Sequence, residues 1–185
     1  MIIGITGTLG AGKGTIVRHL KKIGFQHYSV RSYLTEVIKE RGLEVNRDNM
    51  VMVANELRAQ HSPSYLAEQL YEQAKIQGGD CIIESIRTPG EAESLKKKDK
   101  FYLIAVDADQ KARYKRIKIR GNEKDQVSFE KFAAQEAKEM TSTDPNKQNL
   151  SKCIAMADFQ IDNSGTYNQL YKQIEDIIKK IAKSI

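Results

Sequence analysis

The chain has 185 residues, of which 40% are hydrophobic and 29% charged, and its formal net charge is +6. This composition excludes an intrinsically disordered chain, and the lack of a signal peptide or of any apolar run near ~20 residues argues against a membrane protein. The 2 cysteines suggest neither a disulfide nor a zinc framework, so we expect a protein of the reducing cytoplasm.

Short apolar runs alternate with longer segments of helical period along the chain. This alternation predicts an α/β fold whose mainly parallel sheet, of about five strands, is flanked by helices. The predicted strands are residues 2–6, 27–30, 81–84, 101–106 and 159–162. Two capping boxes, at residues 88–91 and 166–169, mark the starts of the helices that follow them.

A glycine-rich segment, GTLGAGKGT, lies at residues 7–15 between the first strand and the first helix. Its glycines let backbone N–H groups point at a phosphate chain, and the helix N-terminus adds a positive dipole. Lys13 brings a compact charge to the β- and γ-phosphates of ATP, and the Thr15 hydroxyl can bind Mg²⁺. The predicted nucleotide-binding residues of this loop are Gly7, Gly10, Ala11, Gly12, Lys13, Gly14 and Thr15.

Two long segments interrupt the α/β alternation. Residues 31–79 are helical and longer than a simple crossover needs, and residues 115–151 are polar. No linker separates them from the rest, so residues 1–185 are predicted to form one domain. Its core is formed by residues 1–30, 80–114 and 152–185, and the two long segments are mobile insertions.

The loop has glycine directly after Lys13 and its hydroxyl one place later, at Thr15. This variant, GxxGxGKGT, resembles adenylate kinase and other nucleoside monophosphate kinases. The resemblance implies a three-layer P-loop NTPase fold. It also implies that the insertion at residues 31–79 binds the acceptor and that residues 115–151 form a lid.

Residues 82–88, IIESIRT, occupy the place of the DGFPRT motif of those kinases, with glutamate for aspartate and without the proline. By this resemblance Arg87 binds the acceptor phosphate, and Glu84 lies near the magnesium ion. Both roles are physically reasonable, because an arginine can hold a phosphate through two parallel hydrogen bonds. A carboxylate at the end of a central strand lies in the crevice where such sheets bind ligands. The alternatives are that Arg87 is an ordinary surface arginine and that Glu84 merely ends a strand.

Four other arginines are candidates for phosphate contacts. Arg116 and Arg120 are four residues apart and therefore share one helix face. They resemble the arginine pair at the start of the family's lid, which clamps the transferring phosphates; a solvated basic face is the alternative. Arg31 and Arg58 lie in the first insertion and are candidate acceptor contacts, although each is equally well a structural or surface arginine.

Residues 157–166, ADFQIDNSGT, resemble the last strand and turn of dephospho-coenzyme A kinases, where the turn abuts the adenine of ATP. This resemblance adds Asn163 and Gly165 to the nucleotide-binding residues. The acidic residue that those kinases carry after the second strand is missing, since residues 28–32 read YSVRS. The whole chain also resembles an uncharacterised set of adenylate-kinase-related proteins, and the amino-terminal part of some deoxycytidylate deaminase-type chains.

These features predict ATP-dependent phosphoryl transfer to a nucleotide-like acceptor, most simply a nucleoside monophosphate. Phosphorylation of a ribose hydroxyl, as in dephospho-coenzyme A kinases, and a non-catalytic nucleotide-binding regulatory module stay open as alternatives. The basic residues are spread along the chain, which favours a small-molecule partner over a nucleic acid. The sequence leaves open whether the protein forms a homodimer.

Overall fold

A computed structural model describes residues 1–121 and 127–184. Residues 122–126, within the predicted lid, lie outside the described residues. The described strands are β1 (Ile2–Gly7), β2 (Gln26–Ser29), β3 (Cys81–Glu84), β4 (Phe101–Asp107) and β5 (Phe159–Asp162). The described helices are α1 (Lys13–Lys22), α2 (Val30–Glu40), α3 (Arg47–Gln60), α4 (Tyr65–Gln77), α5 (Pro89–Lys96), α6 (Gln110–Arg120), α7 (Phe129–Met140), α8 (Leu150–Ala155) and α9 (Tyr167–Ala182).

The strands form one sheet in the order β2-β3-β1-β4-β5, and all of its pairs are parallel. The predicted five-stranded α/β fold is therefore confirmed. The central strand β1 is buried along its whole length, as expected for a parallel strand covered on both faces. Its residue Ile5 lies opposite Glu84 on one side and Ile104 on the other. This register brings the carboxyl ends of β3, β1 and β4 to the same edge.

Helices cover both faces of the sheet and give the predicted three layers. One apolar cluster packs β1 and β3 residues such as Ile83 against α2, α3, α4 and α5. The other packs Ile3 and Ile5 of β1 against α1 and α9, through residues that include Leu20 and Ile174. The sheet is thus packed between two apolar cores, and the loops at its edge are available to carry functional residues.

One strand boundary differs from the predicted position. Strand β2 ends at Ser29 and Val30 already belongs to α2, because the Ser29 hydroxyl accepts a hydrogen bond from the Ser32 backbone N–H and caps that helix. Both predicted capping boxes, at Thr88 and Thr166, are present.

The second insertion carries a small core of its own. Phe132 of α7 is buried, and its ring lies near those of Tyr114 and Phe129. Helix α7 is therefore docked on α6. In the part of the chain that the structure describes, no helix is both long and apolar enough to cross a bilayer.

Truncation of Leu20 tests the core between the sheet, α1 and α9. Leu20 is fully buried, so Leu20→Ala should lower the free energy of unfolding by about 2–5 kcal/mol. Ile76 is 86% exposed on α4, and Ile76→Ala should change stability by less than about 0.5 kcal/mol. Denaturant unfolding followed by circular dichroism measures both, and equal losses in the two variants would contradict this packing.

Candidate active site

The glycine-rich loop connects β1 to α1 and turns sharply at its glycines. Gly12 precedes α1 with a φ of 103°, a left-handed conformation that strains residues with a Cβ. A Cβ on Gly7 would lie 2.0 Å from the Val106 carbonyl oxygen, and one on Gly12 would lie 2.2 Å from Asn163 Nδ2. The loop is therefore pressed against β4 and against the turn after β5. Its backbone shape depends on glycine at both positions.

Lys13 folds back over this loop. Its Nζ donates hydrogen bonds to the carbonyl oxygens of Gly7 and Thr8, both at 2.8 Å. The pKa of Lys13 is lowered to about 8, mainly by burial and next by the nearby charge of Arg87. The carboxylates of Glu84 and Glu139 oppose that lowering. Lys13 thus lies among four charged side chains, one of which, Glu139, comes from α7.

Glu84 ends β3 and lies beside the histidine of the neighbouring strand. His27 Nε2 is 3.1 Å from Glu84 Oε2. This hydrogen bond holds the pKa of Glu84 below its usual value despite partial burial, and the charges of His27, Lys13 and Arg87 act in the same direction. Glu84 is therefore an ionised carboxylate at neutral pH, as a ligand of a hard cation should be.

Two oxygen donors that the sequence assigned to magnesium fit that ion chemically. Mg²⁺ is usually bound by one or two protein oxygen atoms together with water and phosphate oxygens. Glu84 supplies an ionised carboxylate. The Thr15 hydroxyl, in the first turn of α1, accepts a hydrogen bond from Arg18 Nη2 at 3.1 Å and is partly accessible. The assignment of both residues to magnesium stays a prediction.

Arg87 is positioned by contacts from two directions. Its backbone N–H donates to Glu91 at 2.9 Å, within the capping box of α5, and its carbonyl accepts from the Asn149 N–H at 2.9 Å. Its guanidinium donates to Gln148 Oε1 at 2.9 Å and forms an ion pair with Glu139 at 3.6 Å. The predicted acceptor-binding arginine therefore faces the end of α7 and the segment that follows this helix.

Arg58 lies close to Arg87 but has a buried partner. Its Nη2 donates to Glu91 Oε1 at 2.9 Å, and the Glu91 side chain is 0% exposed, against 11% for that of Arg58. The Nε of Arg58 has no hydrogen-bond partner among the described residues. Because Glu91 also binds the backbone of Arg87 and Thr88, Arg58 supports the segment that carries Arg87. Its predicted contact with the acceptor stays a prediction.

Arg116 and Asn163 meet beside the glycine-rich loop. The Arg116 guanidinium donates to the Asn163 carbonyl oxygen at 2.7 Å, and Asn163 Nδ2 donates to the Ala11 carbonyl oxygen at 2.8 Å. The other terminal nitrogen of Arg116 is buried, with no hydrogen-bond partner in the described part of the chain. Gly165 lies two residues further along the turn and borders an open depression of about 500 Å³. These contacts join the two predicted nucleotide-binding segments.

Arg31 and Arg120 are both exposed. Arg31 lies in the first turn of α2, and Arg120 is the last residue of α6. The contacts that draw Lys13, Glu84 and Arg87 together do not include either of them. Their predicted roles in phosphate binding are untested.

Arg113 is a buried residue that the motif analysis did not select. Its guanidinium donates to the Leu9 carbonyl oxygen of the glycine-rich loop at 3.1 Å and to the Ala108 carbonyl oxygen at 2.8 Å. It also forms a bidentate ion pair with Glu136 of α7. Burial would raise the pKa of Glu136, but hydrogen bonds from Arg113 and Gln110 lower it. Arg113 thus ties helix α7 to the phosphate-binding loop.

The chain is similar in sequence to known proteins. The model of the AAA domain family matches residues 3–141, a range that contains the glycine-rich loop and Arg87. A UPF0200 protein of Pyrococcus abyssi is 27% identical, over 98% of this chain and 97% of that protein. The similarity to that protein therefore extends along nearly the whole chain.

Solved structures share the fold at low sequence identity. Shikimate kinase from Bacteroides thetaiotaomicron has a TM-score of 0.61 and 11% identity, with 97% of this chain and 98% of that chain covered. Dephospho-CoA kinase from Campylobacter jejuni has a TM-score of 0.52 and 15% identity, with 97% and 96% covered. At these identities the likeness shows the fold alone, which is that of P-loop kinases.

The lowered pKa of Lys13 should make nucleotide binding depend on pH. Its pKa in the free protein is about 8, and bound phosphates favour the charged amine and so raise that pKa. The nucleotide-bound protein then holds more protons than the free protein. The affinity for Mg-ADP is therefore highest at pH values below the Lys13 pKa of the free protein. It falls as the pH rises through that pKa, by up to about tenfold per pH unit. Calorimetric titration at several pH values measures this fall. The always charged Lys13→Arg variant should lack it, and an equal slope in both proteins would contradict the assignment.

Removal of Arg58 should destabilise the protein, because it leaves the buried Glu91 carboxylate without its cation. We expect Arg58→Ala to lower the free energy of unfolding by about 3–5 kcal/mol. Arg41→Ala is the control, since Arg41 pairs at 2.8 Å with Glu56 at the surface and should cost less than about 1 kcal/mol. Unchanged stability of Arg58→Ala together with a raised KM for the acceptor would favour the acceptor contact over the supporting role.

Proposed function

The chain belongs to the AAA domain family, and on that premise we propose that it is a P-loop kinase that transfers the γ-phosphoryl group of ATP to a nucleotide-like acceptor. The favoured acceptor is a nucleoside monophosphate. In this proposal residues 1–185 form one kinase domain, with residues 31–79 as the acceptor-binding insertion and residues 115–151 as the lid. Its substrates are the small molecules of the cytoplasm, with ATP and Mg²⁺ as the cofactors.

The observation that carries the proposal is the convergence of three charged side chains at one edge of the sheet. Lys13, Arg87 and Glu84 come from different segments, yet each lies close enough to influence the others electrostatically. Phosphoryl transfer requires a cation that binds each phosphate and an oxygen ligand for the divalent ion. Two cations and a carboxylate meet these requirements. The fold places this set at the carboxyl ends of parallel strands, where such sheets bind ligands.

Each residue has a defined task in the proposed reaction. The loop amides and Lys13 hold the β- and γ-phosphates, and Arg87 holds the phosphate of the acceptor. An oxygen of that phosphate then attacks the γ-phosphorus while the bond to the ADP oxygen breaks. A phosphate acceptor is already deprotonated and needs no strong base. Magnesium, held by Thr15 and Glu84 when bound, would neutralise charge on the transferring oxygens.

Arg116 is the best placed of the predicted lid arginines. It donates to Asn163, which in turn contacts the loop, and its buried Nη1, which has no hydrogen-bond partner among the described residues, can donate to an oxygen or nitrogen of the nucleotide. We propose that Arg116, Asn163 and Gly165 contact the nucleotide beyond its terminal phosphates. Arg120 and Arg31 would have to approach when the insertions close over the substrates.

A hydroxyl acceptor is the second candidate, and one observation favours it. The segment after β2 lacks an acidic residue, but α7 brings the Glu139 carboxylate to within 3.6 Å of Arg87, near Lys13. A carboxylate there could take the proton of a hydroxyl group. The named substrates of the structural neighbours, shikimate and dephospho-CoA, are consistent with this chemistry. A regulatory module without turnover is the third candidate.

An ADP-release assay with a panel of acceptors tests the proposal. We expect Mg-ATP plus at least one nucleoside or deoxynucleoside monophosphate to release ADP, and Lys13→Ala to lower that rate roughly 100-fold or more. Lys21→Ala, an exposed lysine on the same helix, is the matched control and should keep full activity. Arg87→Ala should raise the KM for the acceptor more than that for ATP.

The same panel includes dephospho-coenzyme A to separate the candidates. ADP release with this acceptor alone would favour the hydroxyl acceptor over a nucleoside monophosphate. Tight ATP binding with no acceptor-dependent release above that of Lys13→Ala would overturn the kinase proposal and favour the regulatory module.

A further inference from the structure

His27 contacts Glu84 from the neighbouring strand of the sheet. In the register of β2 and β3 it lies opposite Ile82, and Glu84 follows Ile82 two residues further along β3. Alternate residues of a strand share a face, so His27 and Glu84 project from the same face of the sheet. Ile82 packs on that face together with residues of α1, the helix that begins at Lys13. His27 and Glu84 therefore lie on the face that carries the phosphate-binding helix.

The contact fixes one oxygen of the Glu84 carboxylate. Nε2 of His27 is 3.1 Å from Oε2 of Glu84, and an ionised carboxylate can only accept, so Nε2 carries the proton. The two side chains are 22% and 20% exposed, which limits the access of competing water to this bond. The second oxygen, Oε1, accepts no hydrogen bond within the described part of the chain. One oxygen is thus held, and the other is available.

A glutamate that binds a metal ion gives up the freedom of several rotatable side-chain bonds, and this loss of entropy opposes binding. A hydrogen bond from a neighbouring residue removes part of that freedom before the ion arrives. Hydrogen bonds of this kind orient the carboxylates of metal sites. Mg²⁺ requires near-ideal octahedral geometry and is therefore sensitive to the placement of each ligand.

We propose that His27 is a positioning residue for the divalent cation: its Nε2–H holds Oε2 of Glu84, so that Oε1 stays available to Mg²⁺. This inference rests on the proposed function, which assigns Mg²⁺ to Glu84 and Thr15. His27 acts through Glu84 and contacts neither the ion nor the substrates. Loss of its N–H donor weakens the binding of the cation and leaves the binding of cation-free nucleotide unchanged.

Binding of Mn²⁺ to the complex with ADP tests this inference without requiring turnover. Mn²⁺ occupies the same kind of oxygen-ligand site as Mg²⁺. The electron paramagnetic resonance signal of free Mn²⁺ reports how much of the ion is bound, and a titration of ADP alone corrects for its own binding. We expect His27→Ala to weaken Mn²⁺ binding roughly tenfold. Its affinity for ADP without a divalent ion, measured by calorimetry, should equal that of the unmodified protein.

Two conservative variants show whether the hydrogen bond carries the effect. The amide nitrogen of glutamine is as many bonds from Cβ as Nε2 of histidine, so His27→Gln can still donate to Glu84 and should retain most of the Mn²⁺ affinity. The amide of asparagine ends nearer the backbone, so His27→Asn should bind Mn²⁺ as weakly as His27→Ala. In the Glu84→Gln background His27→Ala should have no further effect, because the two changes remove one interaction.

His19→Ala is the matched control. His19 makes the same kind of pair, with Nε2 at 3.0 Å from a carboxylate oxygen of Glu175, but this pair joins α1 to α9. The variant should bind Mn²⁺ as the unmodified protein does. The inference is overturned if His27→Ala binds Mn²⁺ as tightly as the unmodified protein or more tightly, if His27→Gln binds it as weakly as His27→Ala, or if the effects of His27→Ala and Glu84→Gln add.

The titration also separates this inference from the proposed function. Full Mn²⁺ affinity in Glu84→Gln would overturn the assignment of the metal to Glu84 and the inference with it. Weakened binding in Glu84→Gln together with unchanged binding in His27→Ala would overturn the inference alone. If every acceptor fails in the ADP-release assay while the Mn²⁺ titration gives the expected pattern, the role of His27 is supported and only phosphoryl transfer is refuted.

Discussion

The parallel register of the three central strands is the constraint on which the site depends. With Ile5 opposite both Glu84 and Ile104, the carboxyl ends of β3, β1 and β4 lie at the same edge of the sheet. The glycine-rich loop, the segment leading to Arg87 and the loop before α6 therefore leave the sheet side by side. A shift of one register position would turn Glu84 to the opposite face of the sheet and separate it from Lys13.

The cations of this edge are paired with oxygen atoms of the chain itself. Lys13 is bound by loop carbonyls, Arg87 by Gln148 and Glu139, and Arg116 by the Asn163 carbonyl. Unpaired buried charge is costly, so each of these cations needs oxygen partners within the chain. Both partners of Arg87 come from α7 or the segment that follows it, so these contacts link that part of the chain to the edge of the sheet.

Four arginines near this edge differ in their partners within the chain. Arg58 and Arg113 pair closely with the carboxylates of Glu91 and Glu136 and hold neighbouring segments in place. Arg87 lies 3.6 Å from the Glu139 carboxylate, and Arg116 donates to a backbone carbonyl oxygen. The residue type is the same, and the difference lies in how closely a carboxylate of the chain pairs with the guanidinium. Sequence motifs cannot make this distinction, because the satisfying carboxylate lies far away in the chain.

The sequence alone determined those features that local physics encodes. The glycine-rich loop, the apolar strands and the capping boxes at Thr88 and Thr166 depend on residues within a few positions of one another, and all were predicted. The partners of the site were decided only by the tertiary structure. Arg87 and Gln148 are 61 residues apart, and Arg113 and Leu9 are 104 apart. Such pairs leave no periodicity or spacing in the sequence, since the sheet order and the docking of α7 bring them together.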